Sequence, residues 1–105
     1  MAIYKTITSA SSAVTLVGKN QLFSKSNYAV QSISISNNST NAGTVNVYTF
    51  DASTDPDTYF YICKNIVIPS GAALVLDEGF TFDNTRYSLR IYNTGTSPDL
   101  TVIIK

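Results

Sequence analysis

The chain has no histidine, no tryptophan and a single cysteine, Cys63, in 105 residues. Without histidine, Ser–His–Asp and Cys–His catalytic arrangements cannot form, and the commonest nitrogen ligand for zinc or iron is missing. One cysteine excludes an internal disulfide and any all-cysteine metal site. Charge is scarce too. Asp, Glu, Lys and Arg make up 13% of the residues, against about 25% in ordinary soluble domains. Seven basic residues balance seven acidic ones, so the basic excess that displaces counterions from nucleic acid is absent. No apolar run approaches the roughly 20 residues that span a bilayer. Met1–Ser12 carries polar residues where a signal peptide needs an apolar core. The expectations are no nucleic-acid partner, no membrane partner, no cofactor, and a soluble protein made in the cytoplasm.

What is present is strand-forming. The length fits one domain over residues 1–105, able to bury roughly 60–65% of its unfolded surface. Runs rich in Val, Ile, Thr, Tyr and Phe recur between Gly, Pro, Asn, Asp and Ser clusters. They predict strands at Ile3–Thr8, Ala13–Val17, Tyr28–Ser36, Thr44–Phe50, Thr58–Lys64, Ile66–Ile68, Ala73–Asp77, Phe80–Phe82, Tyr87–Asn93 and Leu100–Lys105. Helical spacing is nowhere sustained, and Gln21–Ser26 supports a single helical turn at most. Pro69-Ser70-Gly71 predicts a tight reversal, and Asn93–Pro98 a longer hairpin loop. Asn37–Gly43 and Asp51–Asp57 read as loops. The fold class expected is all-β: one antiparallel β-sandwich of about eight short strands, jelly-roll or immunoglobulin-like.

The residues that can carry chemistry are few. Asp77, Glu78 and Asp83 flank Gly79–Phe82 and offer paired carboxylates of the kind glycosidases use. The plainer reading is that they keep turns and edges soluble. Asp51, Asp55 and Asp57 offer oxygen ligands for calcium, but their spacing is not that of an EF-hand loop, and a solvated loop is expected. Cys63 reads as a small packed hydrophobe, with Lys64 on the opposite face. Asn37-Asn38-Ser39 and Asn38-Ser39-Thr40 match the N-glycosylation triplet and mark an exposed loop.

The remaining candidates lie in surfaces. Alternation puts Phe60 and Ile62 on one face of their strand and Tyr59 and Tyr61 on the other. Tyr48, Tyr59, Tyr61 and Tyr92 can form a platform for a partner protein or for sugar rings, or else cap the sandwich edges. Arg90 is expected to anchor a protein interface. Asn65–Ile68 and Ala72–Leu76 are apolar, β-prone and nearly uncharged, so each must be central in a sheet or covered by a partner. Ile103 puts an apolar residue on the second face of the last strand, under a loop or in a subunit contact.

The stretch Tyr61–Leu76, with its strand, Pro-small-Gly turn and apolar strand, resembles a pattern in small virion proteins of tailed bacteriophages. An acidic-aromatic stretch follows, Asp77–Phe82, then a Ser-Leu-Arg strand at Tyr87–Ile91 and a closing Val/Ile alternation at Leu100–Ile104. The resemblance implies a capsid decoration (cement) protein, or a head–tail joining or tail protein, and carries no catalytic residues. Its implied partners are the major capsid protein or another virion protein, and further copies of the chain. The competing expectations are a carbohydrate-binding module built on the tyrosines and, more remotely, a hydrolase built on Asp77, Glu78 and Asp83.

Overall fold

In a computed structural model, residues 2–21 and 29–105 are described, and all regular structure among them is β. The strands in chain order are β1 (Ile3–Ile7), β2 (Ala13–Val17), β3 (Ala29–Val30), β4 (Ile33–Asn37), β5 (Gly43–Asp51), β6 (Thr58–Ile68), β7 (Ala73–Leu76), β8 (Phe80–Thr81), β9 (Ser88–Gly95) and β10 (Leu100–Ile104). Of the helical turn expected over Gln21–Ser26 only Gln21 is described, and Tyr28 lies outside the described residues.

Two four-stranded sheets form, ordered β1-β10-β4-β7 and β2-β9-β5-β6, with a separate β3-β8 ribbon. All pairings are antiparallel. Among the eight strands of the main sheets, the first pairs with the last, β1 with β10. The next pairs inward are β2 with β9, β4 with β7, and β5 with β6. One long hairpin rolled up in this way is a jelly roll, which decides between the two sandwich types the sequence left open.

The alternation read from the sequence fills the space between the sheets. Ile33, Ile35, Val45, Val47, Leu89, Ile91, Val102 and Ile104 are fully buried and belong to one core cluster. Each such side chain contributes about 1.5–3 kcal/mol relative to exposure. In β2 the register shifts between Thr15 and Val17. The extra residue of this bulge lets Leu16 and Val17 both turn into the core.

Two expectations need correction. The Asn93–Pro98 segment is not a hairpin loop: β9 pairs with β2 and β5, whereas β10 pairs with β1 and β4. The segment crosses from one sheet to the other because both strands already have two neighbours, and Gly95 at φ 148° supplies a bend that other residues rarely adopt. The predicted strands Thr58–Lys64 and Ile66–Ile68 are one strand, β6, continuous through a bulge in which Asn65 takes φ 55°. The Pro69–Gly71 reversal is as expected. Ala72 N donates to Pro69 O at 3.1 Å, and Gly71 at φ 76° fills the left-handed position of a type II turn. That turn also changes sheets, carrying the chain from β6 to β7.

Candidate functional site

The outer face of the β2-β9-β5-β6 sheet gathers most of the candidate residues. Strand register sets them in rows. Ala13, Tyr92 and Asn46 lie side by side across β2, β9 and β5. The next row is Thr15, Arg90, Tyr48 and Tyr61, and the third brings Ser88, Phe50 and Tyr59 together. Tyr48, Tyr59, Tyr61, Tyr92 and Arg90 therefore share one face. Ile103 does not join them. It sits half-buried on the outer face of the other sheet, between Tyr4 and Ser34.

The aromatic rings pack on one another. Tyr48 lies 5.4 Å from both Tyr59 and Tyr61 between ring centroids. Tyr59 and Tyr61 stack with planes 17° apart at 6.4 Å, and both are about half exposed. Tyr48 is nearly buried at the base of the group, and burial raises the pKa of its hydroxyl. Arg90 lays its guanidinium 4.0 Å over the Phe50 ring, a cation–π contact at the centre of the face. Phe60 and Ile62 turn to the opposite side of β6, as alternation predicts. Ile62 packs against the core, while Phe60 meets the edge of Tyr87 at 5.7 Å and remains exposed.

The bulge in β6 adds polar groups that sequence reasoning did not single out. At the bulge Asn65 N donates to Asn46 Oδ1 at 2.9 Å, and Asn46 Nδ2 donates to Tyr92 O at 3.3 Å. Lys64 is swung over the Tyr61 ring, its Nζ 4.9 Å from the centroid. On the far side, Ser11 N donates to Asn93 O at 2.8 Å, which holds Ser11 at φ 57°. These two rims and the tyrosines between them bound an open cup of about 500 Å³, with Ser12 and Ala13 completing the wall. The sequence did carry one signal for it: Lys64-Asn65 is a polar pair interrupting an apolar β run, a pattern that bulges produce.

The acidic candidates lie elsewhere. Asp77, Glu78 and Asp83 are exposed, and Asp83 accepts from Thr85 N and Oγ1 in a local turn. Among the described residues, no three His, Cys, Asp or Glu side chains come together as metal ligands. Asp51 is fully buried and accepts from Ser53 N and Oγ and from Arg86 Nε. These bonds, that from the Ser53 hydroxyl foremost, hold its carboxyl down at about 2. Asn37, first residue of one glycosylation triplet, is buried, and its amide nitrogen donates to Asn41 O and Ile68 O. Asn38 donates to Thr101 Oγ1. The Cys63 thiol is half-buried against the core and its pKa is raised by burial.

A second surface runs along one side of the sandwich. β6 and β7 each end their sheet's strand order, and the Pro69–Gly71 turn joins them, so two open edges lie on the same side. Among the described residues the large apolar side chains left exposed are Tyr4, Tyr59, Phe60, Tyr61, Ile66, Val67 and Val75. All but Tyr4 belong to β6 or β7. The alternative that Asn65–Ile68 and Ala72–Leu76 are central in a sheet is thereby overturned. No helix among the described residues is long and apolar enough to cross a membrane.

No protein-family model matches the chain, and no curated protein sequence matches it. The resemblance of Tyr61–Ile104 to phage virion proteins has no counterpart in either comparison.

Proposed function

We propose that this chain is a non-catalytic structural protein of a phage virion. In this reading it is a capsid decoration (cement) protein that binds the major capsid protein, or another virion protein, and further copies of itself. A place at the head–tail junction or in the tail is the same reading at another position. The observation that carries it is the β6–β7 side. Two apolar, nearly uncharged strands lie at open edges with Phe60, Val67 and Val75 each more than half exposed. Monomeric proteins blunt such edges with charge, and an uncovered one pairs with other chains. Lys64 is the one charged side chain between Thr58 and Leu76. A neighbour adding a strand there gains backbone hydrogen bonds together with apolar burial. Repetition of modest contacts around a symmetric shell multiplies their strength.

The low charge and zero net charge support the same reading, since weak mutual repulsion suits a protein that ends up assembled. The test is mass spectrometry of purified particles of the virus whose genome carries this sequence. The chain is expected in many copies per particle and at a fixed ratio to the major capsid protein. Its absence from purified particles, with expression in the infected cell, would overturn the proposal.

A further inference from the structure

The cup on the outer face of the β2-β9-β5-β6 sheet adjoins the β6–β7 edge and shares Tyr59 and Tyr61 with it, but its chemistry differs. Among the described residues its aliphatic contribution is a single alanine, Ala13; the rest of the described wall is tyrosine, serine, asparagine and one lysine. Lipid chains want Leu, Ile, Val or Met in such a place, and the described wall offers none of them. A lining of hydroxyls and amides around aromatic rings instead suits a ligand with hydroxyls along its rim and C–H bonds on its faces. Such a ligand is a sugar ring. It lays its C–H face on an aromatic side chain while its hydroxyls bond to amides and hydroxyls.

Charge narrows the class. Among the described residues, Lys64 is the only charged one in the wall and no carboxylate lines it, so the cup favours a ligand with negative charge over a cation or metal. One lysine is too few to hold a nucleic-acid backbone, which draws its affinity from several cations. The site is also formed in advance. Ser11 and Asn65, on opposite rims, both stand in the left-handed region and are fixed there by hydrogen bonds to Asn93 O and Asn46 Oδ1. Non-glycine residues in that region concentrate at binding sites. The volume of about 500 Å³ lies in the range of small-ligand sites.

We infer that this cup binds an acidic oligosaccharide, with Tyr61 and Tyr59 under a sugar ring and Lys64 paired with a carboxylate on the ring. The binding needs no catalysis and no metal. The cup shares β6 with the proposed edge contacts through Tyr59, Tyr61, Lys64 and Asn65. These side chains stand on the outer sheet face, whereas a strand added at the edge pairs with the β6 backbone.

Isothermal titration of the full chain with trigalacturonate, and with maltotriose as a neutral counterpart, tests this. Trigalacturonate is expected to bind more tightly than maltotriose. Tyr61→Ala weakens it about tenfold or more, while Tyr61→Phe keeps most of the affinity. Lys64→Gln brings the acidic ligand down to the level of the neutral one and removes the salt dependence. Val67→Lys, on the edge and outside the cup, leaves the titration unchanged. No heat from trigalacturonate at millimolar concentration would overturn the inference, as would binding unaffected by Tyr61→Ala or a preference for maltotriose. Tighter binding of a short single-stranded oligonucleotide than of either sugar would overturn it too.

Discussion

Arg86 Nε donates to Asp51 Oδ2 at 2.7 Å, tying the turn that precedes β9 to the last residue of β5. The carboxylate is fully buried while the arginine is about half exposed, with side-chain exposures of 0% and 54%. The pair closes the end of the sheet where the β5–β6 hairpin turns.

Its titration has a definite sign. The Asp51 carboxyl sits at about 2 in the folded protein against an ordinary 3.8. The unfolded chain therefore binds more protons between these values, and stability rises with pH there. The contribution is complete above about pH 4 and is lost as pH falls towards 2. Thermal melts of the protein and of Asp51→Asn are expected to differ at pH 7 and to converge between pH 4 and 2. A constant difference across that window contradicts the assignment.

Arg90 over Phe50 is a second contact with a measurable worth. At 4.0 Å above the ring and half-buried, it is expected to contribute about 1–2 kcal/mol. Arg90→Ala should lower the free energy of unfolding by that amount, read as a lower urea midpoint at unchanged m. Arg90→Lys should recover less than half, since an ammonium lacks the flat guanidinium. An unchanged midpoint in Arg90→Ala would show that the ring does not need the cation.

Asn37 is the polar hub of the β4–β5 crossing. Its amide nitrogen donates to Asn41 O and Ile68 O, and its side-chain oxygen accepts from Ser39 N and Ser39 Oγ. Asn37→Ala strands the buried Ile68 O and loses the part-buried bonds to Asn41 and Ser39, and should cost about 1–3 kcal/mol in equilibrium unfolding. Asn37→Asp sets a buried carboxylate oxygen against Asn41 O and Ile68 O, two acceptors, and should cost at least as much as Asn37→Ala at pH 7.

Gly71 isolates a backbone effect. It stands at φ 76° with nothing within 4 Å of where a Cβ would sit. Gly71→Ala should therefore cost about 1 kcal/mol through strain alone. Gly71→Asn, which tolerates that region better, should cost less.

The strands were legible in the sequence because one buried face leaves a period of two. Val45/Val47, Leu89/Ile91 and Val102/Ile104 alternate as read and are buried as read. Their pairing was not legible. In a jelly roll most consecutive strands lie in different sheets, so Asn93–Pro98 looks like a hairpin loop and is a crossing. β5–β6, joined through Asp51–Asp57, is a true hairpin. The bulges defeat alternation locally: Leu16 and Val17 both face inward, and Lys64-Asn65 splits what is one strand. The same holds for the site. Tyr59 and Tyr61 were placed side by side from alternation alone. Their meeting with Tyr48, Tyr92 and Arg90 needed the β2-β9-β5-β6 register, and Asn46, Asn65 and Ser11 joined them only through that register and the β6 bulge. Ile103 could not be assigned to the opposite sheet without the strand order.

The central claim is that neighbours cover the β6–β7 side. The most direct measurement is the mass of the purified protein by light scattering after size exclusion, beside the variant Val67→Lys, with melting curves for both. The account predicts a mass that is a multiple of 11.4 kDa, returning towards the single-chain value in the variant while the variant stays folded. A single-chain mass at every concentration, or an oligomer that Val67→Lys leaves intact, would contradict it.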